Sequence, residues 1–531
     1  MESIRKLWQQ LYDENGENEL SLLMTVLEKY KSIRSNSIKE SLWYKNSVVY
    51  SVYIERFGET FKAAQEKLSY LKELGVTALW ILPVLSSPMK DQGFDISDYY
   101  NVRGNLGTNE DFFDFIHQAH MNGIRVIFDI AINHTSSDHE WFIDARKSKE
   151  SKYRDYYIWN DTPDKYARAG IVFDGIMKSN WEYNDQTSDY YFHRFYDSQP
   201  DLNYSNPRVM LEMINILLFW QSKDIDGFRM DAAPYLYKQE GTDCYGLEKS
   251  HYILKIFRAC LDYVSKGTVL LAEANEKPIK VVKYFGNDDE CHCAYNFPLM
   301  TGIFSAIAKA DPKEISELFN PLVMPEIPSS CQWFNFLRCH DELSLEAVGE
   351  EEKKNLVRSY LLDERWNFRK GAGISARTYD LFCNDYKKTV LAFSVLFSLD
   401  GNPVIYYGDE IGMKNDYEVY EKIKKETGYD DTRYLMRSNF DVVLAQKAIE
   451  GEDCNEKRIY DFIKYAANLR RCYRDLFLTA PEISSVMSVL KVKRRNLSKQ
   501  LIVYNNLAAE YAEVDGMKLE PYEARWIISY C

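Results

Sequence analysis

The chain of 531 residues is long enough for several domains, or for one large barrel with attachments. Apolar residues make up 46% and charged residues 27%, which excludes a disordered or fibrous protein. With 80 acidic against 66 basic side chains the net charge is −14, which argues against nucleic acid and anionic membranes as partners, because both select a basic face.

Residues 1–46 read as a helical preface: Leu20, Leu23, Met24, Leu27 and Tyr30 recur at helical spacing. The first residues, Met1 to Leu7, carry charges and no apolar run, so no secretory leader is expected. An alternation of strands and helices follows. Strands are predicted at Val48–Ile54, Ala78–Pro83 and Arg125–Ile130, with helices at Phe61–Leu74 and Phe112–Met121 between them. Five further apolar runs are Ile225–Met230, Thr268–Leu271, Cys293–Phe297, Trp333–Leu337 and Pro403–Tyr407. Runs without polar alternation are buried on both faces, as in a parallel sheet. Eight of them separated by helices predict a (β/α)8 TIM barrel over residues 47–134 and 206–478. The gap between the third and fourth runs is far longer than a crossover needs, so residues 135–205, dense in Tyr and Trp, are expected to form an inserted subdomain. Alternating stretches at Val489–Val492 and Leu501–Tyr504 predict a small antiparallel β domain over 479–531.

The ten Cys lie between Cys244 and Cys531 and suggest reduced thiols in a cytoplasmic protein rather than a disulfide framework. Cys291-His292-Cys293 has no second ligand pair at a matching spacing, so no metal and no cofactor is expected. Aromatic residues reach 15%, with 40 Tyr and 10 Trp. Flat amphipathic rings suit stacking on sugars, although they also fill cores.

In such barrels chemistry sits where the strands end. The third run closes on Asp129, Asn133 and His134, the fourth on Arg229 and Asp231, the fifth on Glu273, the seventh on His340, Asp341 and Glu342. A single acid after a strand is often only a helix cap. Four runs closing on acids and His at one rim suggest managed charge instead. Two carboxylates flanking one bond are the machinery of glycoside hydrolysis. Arg229 and Asp231, two apart on a strand, share a face. A fixed positive charge there is expected to keep Asp231 ionised.

These segments resemble the four conserved regions of the α-amylase family, glycoside hydrolase family 13. Gln199-Pro200-Asp201-Leu202-Asn203 resembles the fifth region in its α-glucosidase-like form. The resemblance runs from about residue 48 to the end. It implies a retaining mechanism with Asp231 as nucleophile, Glu273 as general acid/base and Asp341 as transition-state stabiliser. It further implies that Arg229, His134 and His340 bind the transferred glucose, with Asp129 structural beneath them. Tyr153 to Trp159, Leu271 to Asn275 and Phe336 to Glu342 resemble phrases of the trehalose synthase and α-glucosidase branch. Gln92-Gly93-Phe94-Asp95 resembles the turn in which an aromatic ring stacks on the terminal glucose and the acid grips its far hydroxyls. By that likeness Phe94 and Asp95 close the pocket, and Asp95 pairs with Arg433 or Arg437. Four departures stand out: Phe94 for Tyr, Cys339 for Asn, Arg433-Tyr-Leu-Met-Arg437 for the usual Arg-Thr-Pro-Met, and no acidic calcium loop after the first strand. Asn133 and Asp201 occupy places that hold calcium in some relatives. Lys238 falls where α-glucosidase-type relatives carry a lysine, and an ammonium there replaces the ion.

Two activities fit: hydrolysis or transfer of α-glucosyl units from short substrates such as maltose or trehalose, and isomerisation of maltose and trehalose. Both pass through a glucosyl-enzyme. A third reading, a non-catalytic barrel that serves as a partner protein, is disfavoured because all three acids are present.

Overall fold

The computed structural model describes residues 1–33 and 42–530. Eight parallel strands close into a barrel: β1 (Val49–Val52), β2 (Ala78–Ile81), β3 (Arg125–Ala131), β4 (Gly227–Asp231), β5 (Val269–Ala272), β6 (Cys293–Tyr295), β7 (Gln332–Phe336) and β8 (Asn402–Tyr406). Each lies within or beside one of the apolar runs. β8 pairs with both β7 and β1, which seals the sheet. Seven of the eight strands are buried at every position, and β3 at all but its first residue, so most of them read as near-continuous apolar runs. Gly227 opens β4 because a Cβ there would meet Val269 O at 2.8 Å.

The N-terminal preface is two helices, α1 (Glu2–Tyr12) and α2 (Glu17–Ile33), joined by a 3-10 turn. They pack on the barrel helices α3 (Pro207–Gln221) and α4 (Glu248–Val264). Trp8 is fully buried and donates its indole N–H to Gly16 O at 2.9 Å. The helical expectation for 34–41 lies outside the described residues. A helix expected over Phe61–Leu74 is two helices, Phe61–Gln65 and Leu68–Leu74. The break falls where Lys67 turns back to donate to Phe57 O at 2.6 Å.

Between β3 and β4 the chain makes a three-stranded antiparallel sheet (Trp159–Asn160, Trp181–Asn184, Asp189–Phe192) with its own aromatic cluster around Trp181 and Phe192. At the other end, four antiparallel strands (Glu482–Val486, Val489–Arg495, Lys499–Asn506, Ala524–Tyr530) pack on the helix Tyr386–Ser398. Two buried guanidiniums bind that junction through carbonyls: Arg470 to Phe397 O and Gly401 O, Arg494 to Ser398 O and Phe477 O. No described helix is long and apolar enough to cross a membrane. The nine described cysteines are free thiols. His292 accepts the Leu270 N–H through Nδ1 and packs edge-on against Tyr44, as a core histidine does.

Candidate active site

A cavity of about 160 Å³ opens at the C-terminal rim of the barrel. Asp231, Glu273, Asp341, Arg229, His134, His340, Phe94 and Arg433 all line it. Val172, Phe173 and Phe195 of the inserted sheet region and Phe368 from the segment after β7 complete the wall. Apolar rings around converging charges make a site of low dielectric, where each charge interaction is stronger than in water.

Arg229 is the hub. It leaves β4 on the same face as Asp231, and its Nη1 lies 2.7 Å from Asp231 Oδ1 and 2.8 Å from Asp129 Oδ1. Its Nη2 is hydrogen-bonded to Glu273 Oε1. One cation is therefore shared among three carboxylates. Burial raises the Asp231 carboxyl above its ordinary value; Arg229 opposes this, and Glu273 and Asp129 reinforce it. Arg229 thus pulls Asp231 towards its ionised form, as expected, while burial and the neighbouring acids pull the other way. Asp129, fully enclosed and hydrogen-bonded to the Trp80 indole at 2.9 Å, is pushed by burial up to about 7 against the pull of Arg229. It does not line the cavity and props Arg229 from below.

Asp341 is the opposite case. Burial would raise it, but His340 and the guanidiniums of Arg433, Arg437 and Arg229 outweigh burial and hold it well below the carboxylate range. Arg433 Nη1 lies 2.9 Å from Asp341 Oδ1 and Arg437 Nη2 3.4 Å away. His340 is itself buried, which pushes its ring well below the ordinary imidazole value, while Asp341 pulls it back up. Phe94 stacks on the His340 ring at 5.4 Å, with Arg229 over its other neighbourhood at the same distance.

Arg433, not Arg437, lines the cavity. A 3-10 turn at Thr432–Met436 delivers it, and Asp431 grips it through both carboxylate oxygens. Arg437 is sealed beneath, donating to His340 O at 3.0 Å.

Asp95 is not where the motif suggested. Its carboxylate accepts from Ser87 Oγ (2.8 Å), Lys90 N (3.0 Å) and Asp91 N (3.1 Å), and it makes no ion pair with Arg433 or Arg437. Three donors of its own turn occupy its oxygens, and it is not among the residues that line the cavity. Asp91 lines the cavity instead, 3.9 Å from Arg433 Nη2 and accepting from Gln199 Nε2 at 3.0 Å. The same Gln199 amide lies 3.1 Å from His134 Nε2. Burial takes His134 down to about 4, so its ring is neutral. Asp91, Gln199 and the cavity-lining Glu342 were not singled out as site residues from the sequence. The signal for Asp91 was present, an acid two places before the glycine of the quoted turn, but the acid after the ring drew the assignment.

Just behind the rim, Lys238 Nζ lies 2.7 Å from both Asn133 Oδ1 and Asp201 Oδ2. The ammonium occupies the position expected for it and joins the loop after β3 to the end of the inserted region.

The family model for the α-amylase catalytic domain matches residues 56–471. The trehalose synthase/amylase TreS of Mycolicibacterium smegmatis is 44% identical over 382 residues, 70% of this chain and 64% of that one. The match thus takes in just under two thirds of that relative's length. The oligo-1,6-glucosidase of Bacillus cereus is 30% identical over 437 residues, 78% of this chain and 74% of the other. The crystal structure of an α-amylase from H. orenii superimposes with a TM-score of 0.71 at 24% identity, covering 91% of this chain and 99% of that one, which is a likeness of fold. With the catalytic-domain model spanning most of its length and the barrel closed as described, the chain belongs to the α-amylase family.

Proposed function

We propose that the chain is a retaining enzyme that transfers α-glucosyl units from short gluco-oligosaccharides through a covalent intermediate on Asp231. The observation that carries this is the single cavity in which Asp231, Glu273 and Asp341 converge around Arg229. Asp231 attacks C1 of the bound glucose, and its carboxylate becomes an ester. Glu273 gives its proton to the departing oxygen and later takes one back from the incoming hydroxyl. Asp341, held ionised by Arg433 and Arg437, faces the positive charge that develops on the ring. His134, His340, Arg229, Phe94 and Arg433 surround the transferred glucose, and Asp91 takes the hydroxyl-gripping role first assigned to Asp95.

A second reading, isomerisation of maltose and trehalose, is favoured by the 44% identity to a protein named trehalose synthase/amylase. The two differ only in whether water or the retained sugar attacks the intermediate. We further propose the division into a helical preface (1–46), a barrel (47–134 and 206–478), an insert (135–205) and a β domain (479–531), and a cytoplasmic location. Product analysis with maltose, trehalose, sucrose and isomaltose tests the function. Glucose or a new glucoside from at least one of them is expected; no turnover of any would overturn the reading.

A further inference from the structure

A second cavity, of about 450 Å³, opens between the strand Asp98–Val102, the helix Glu140–Ala145 and α3. That volume falls within the roughly 300–1,000 Å³ of ligand pockets. It shares no described lining residue with the catalytic cavity. The rings of Tyr100, Trp141 and Tyr153 wall it, and His139 and Glu212 bring polar groups to it. The Tyr99 ring completes the wall. Its hydroxyl lies 2.8 Å from Ala131 O and 3.0 Å from His134 O, and its carbonyl accepts the Trp220 indole N–H at 2.8 Å. Tyr99 is thus fixed at both ends before any ligand arrives.

Three polar groups here lack partners among the described residues. Trp141 is only 6% exposed, yet its indole N–H donates to no described residue, whereas the indoles of Trp80, Trp181 and Trp220 each find an oxygen. Nor is that nitrogen sealed off, so it reaches open space in the cavity that its ring lines. His139, also buried, accepts the Trp141 backbone N–H through Nδ1 at 3.1 Å. Burial takes its ring down to about 4 against the pull of Asp98, so near neutrality it is uncharged and carries its proton on Nε2. That second N–H has no described partner. Glu212, half-buried on α3, makes no hydrogen bond or ion pair with a described residue, and burial, with Glu140 next in effect, raises its carboxyl. Sheltered polar groups left unpaired cost stability unless something arrives to bind them.

The mixture of groups selects the ligand. A cation is served by rings and carboxylates and gains nothing from N–H donors. A sugar presents hydroxyls that both donate and accept, and C–H faces that pack on flat rings. We propose that this cavity is a second sugar site, which takes one hexose unit of a free sugar or short glucoside. Trp141 Nε1–H and His139 Nε2–H donate to its hydroxyls, and Glu212 accepts from them. The choice of maltose as the probe rests on the glucosyl-transfer reading above.

The test labels the chain with 5-fluorotryptophan and follows Trp141 by fluorine NMR, in an Asp231→Asn background that leaves added maltose intact. Trp141→Phe assigns the resonance, and Trp141→Tyr does so if the Phe variant does not fold. Among the described residues no Trp lines the catalytic cavity, so the Trp141 signal reads the second site. Maltose is expected to shift this resonance in a saturable way. Glu212→Leu is expected to weaken that titration about 10-fold or more, the scale of one hydrogen bond to a charged group. A resonance that maltose leaves unmoved, or a titration unchanged in Glu212→Leu, would overturn the proposal. So would a shift caused by tetramethylammonium chloride and not by maltose, which would mark a cation site. A wild type that does not turn over maltose would instead overturn the functional reading, while the Trp141 resonance still decides the second site.

Discussion

Two buried cations sit within the same rim and are treated differently. Lys238 faces one carboxylate, Asp201, and one neutral amide, Asn133, so its charge is matched. Arg229 faces three carboxylates, Asp129, Asp231 and Glu273, so negative charge is in excess and protons must balance it. A matched pair has nothing left to exchange and fixes loops in place. An unmatched cluster holds protons at poised carboxyls, as a proton-transferring reaction requires. Stoichiometry of charge thus separates the structural site from the chemical one, although both are buried and both join the β3 and β4 ends.

The largest expected effect lies in the unmatched cluster. Asp231→Asn and Glu273→Gln are each expected to leave a folded protein with activity on α-glucosides reduced by about 10²–10⁴-fold or more, since acid–base help alone is worth that much. Azide is expected to restore turnover in the Asp231 variant rather than the Glu273 variant if Asp231 is the nucleophile. Near-wild-type rates in either would break the assignment.

The matched pair is next. Lys238→Met strands a buried carboxylate and is expected to cost about 3–5 kcal/mol of stability. Melting temperatures read it directly. A strong chelator is expected to leave wild-type melting unchanged, because the ammonium serves the oxygens that calcium would otherwise bridge. Chelator-induced melting reversed by calcium would contradict this.

A smaller effect separates two acids of one turn. Asp91→Ala is expected to lower kcat/KM on short α-glucosides by about 1.5–3 kcal/mol, the value of a hydrogen bond to a charged group. Asp95→Ala is expected to act mainly on stability, by freeing the donors of Ser87, Lys90 and Asp91. The reverse pattern would restore the motif's first reading.

The smallest effect has a defined sign. A carboxyl raised in the folded state contributes stability fully below its unfolded pKa of about 3.9 and loses it as pH rises through the folded value. Asp231→Asn removes that loss. It is therefore expected to melt above wild type at alkaline pH, with the gap closing on acidification. A gap that widens on acidification would refute the charge-excess account.

The barrel was legible because its strands are buried on both faces and so read as mainly apolar runs, a pattern that surface elements do not share. The rim acids were legible because strand ends fix where side chains emerge: Arg229 and Asp231 share a face by spacing alone. What spacing does not fix is side-chain direction inside a turn. Asp95 and Asp91 stand four residues apart, and only the folded turn shows which one its own backbone consumes. Arg433 and Arg437 likewise differ by burial, set by a 3-10 turn that no periodicity announces. Gln199 was missed because its significance lies in its neighbours, His134 and Asp91.

The central claim is that Asp231 carries the glucosyl unit. A slow fluorinated α-glucosyl fluoride, allowed to accumulate its intermediate and followed by peptide mapping with mass spectrometry, tests it most directly. The account predicts one fluoroglucosyl unit on the peptide containing Asp231 and none on the peptides of Glu273 or Asp341. A label on another carboxylate, or turnover with inversion at C1 and no label at all, would contradict it.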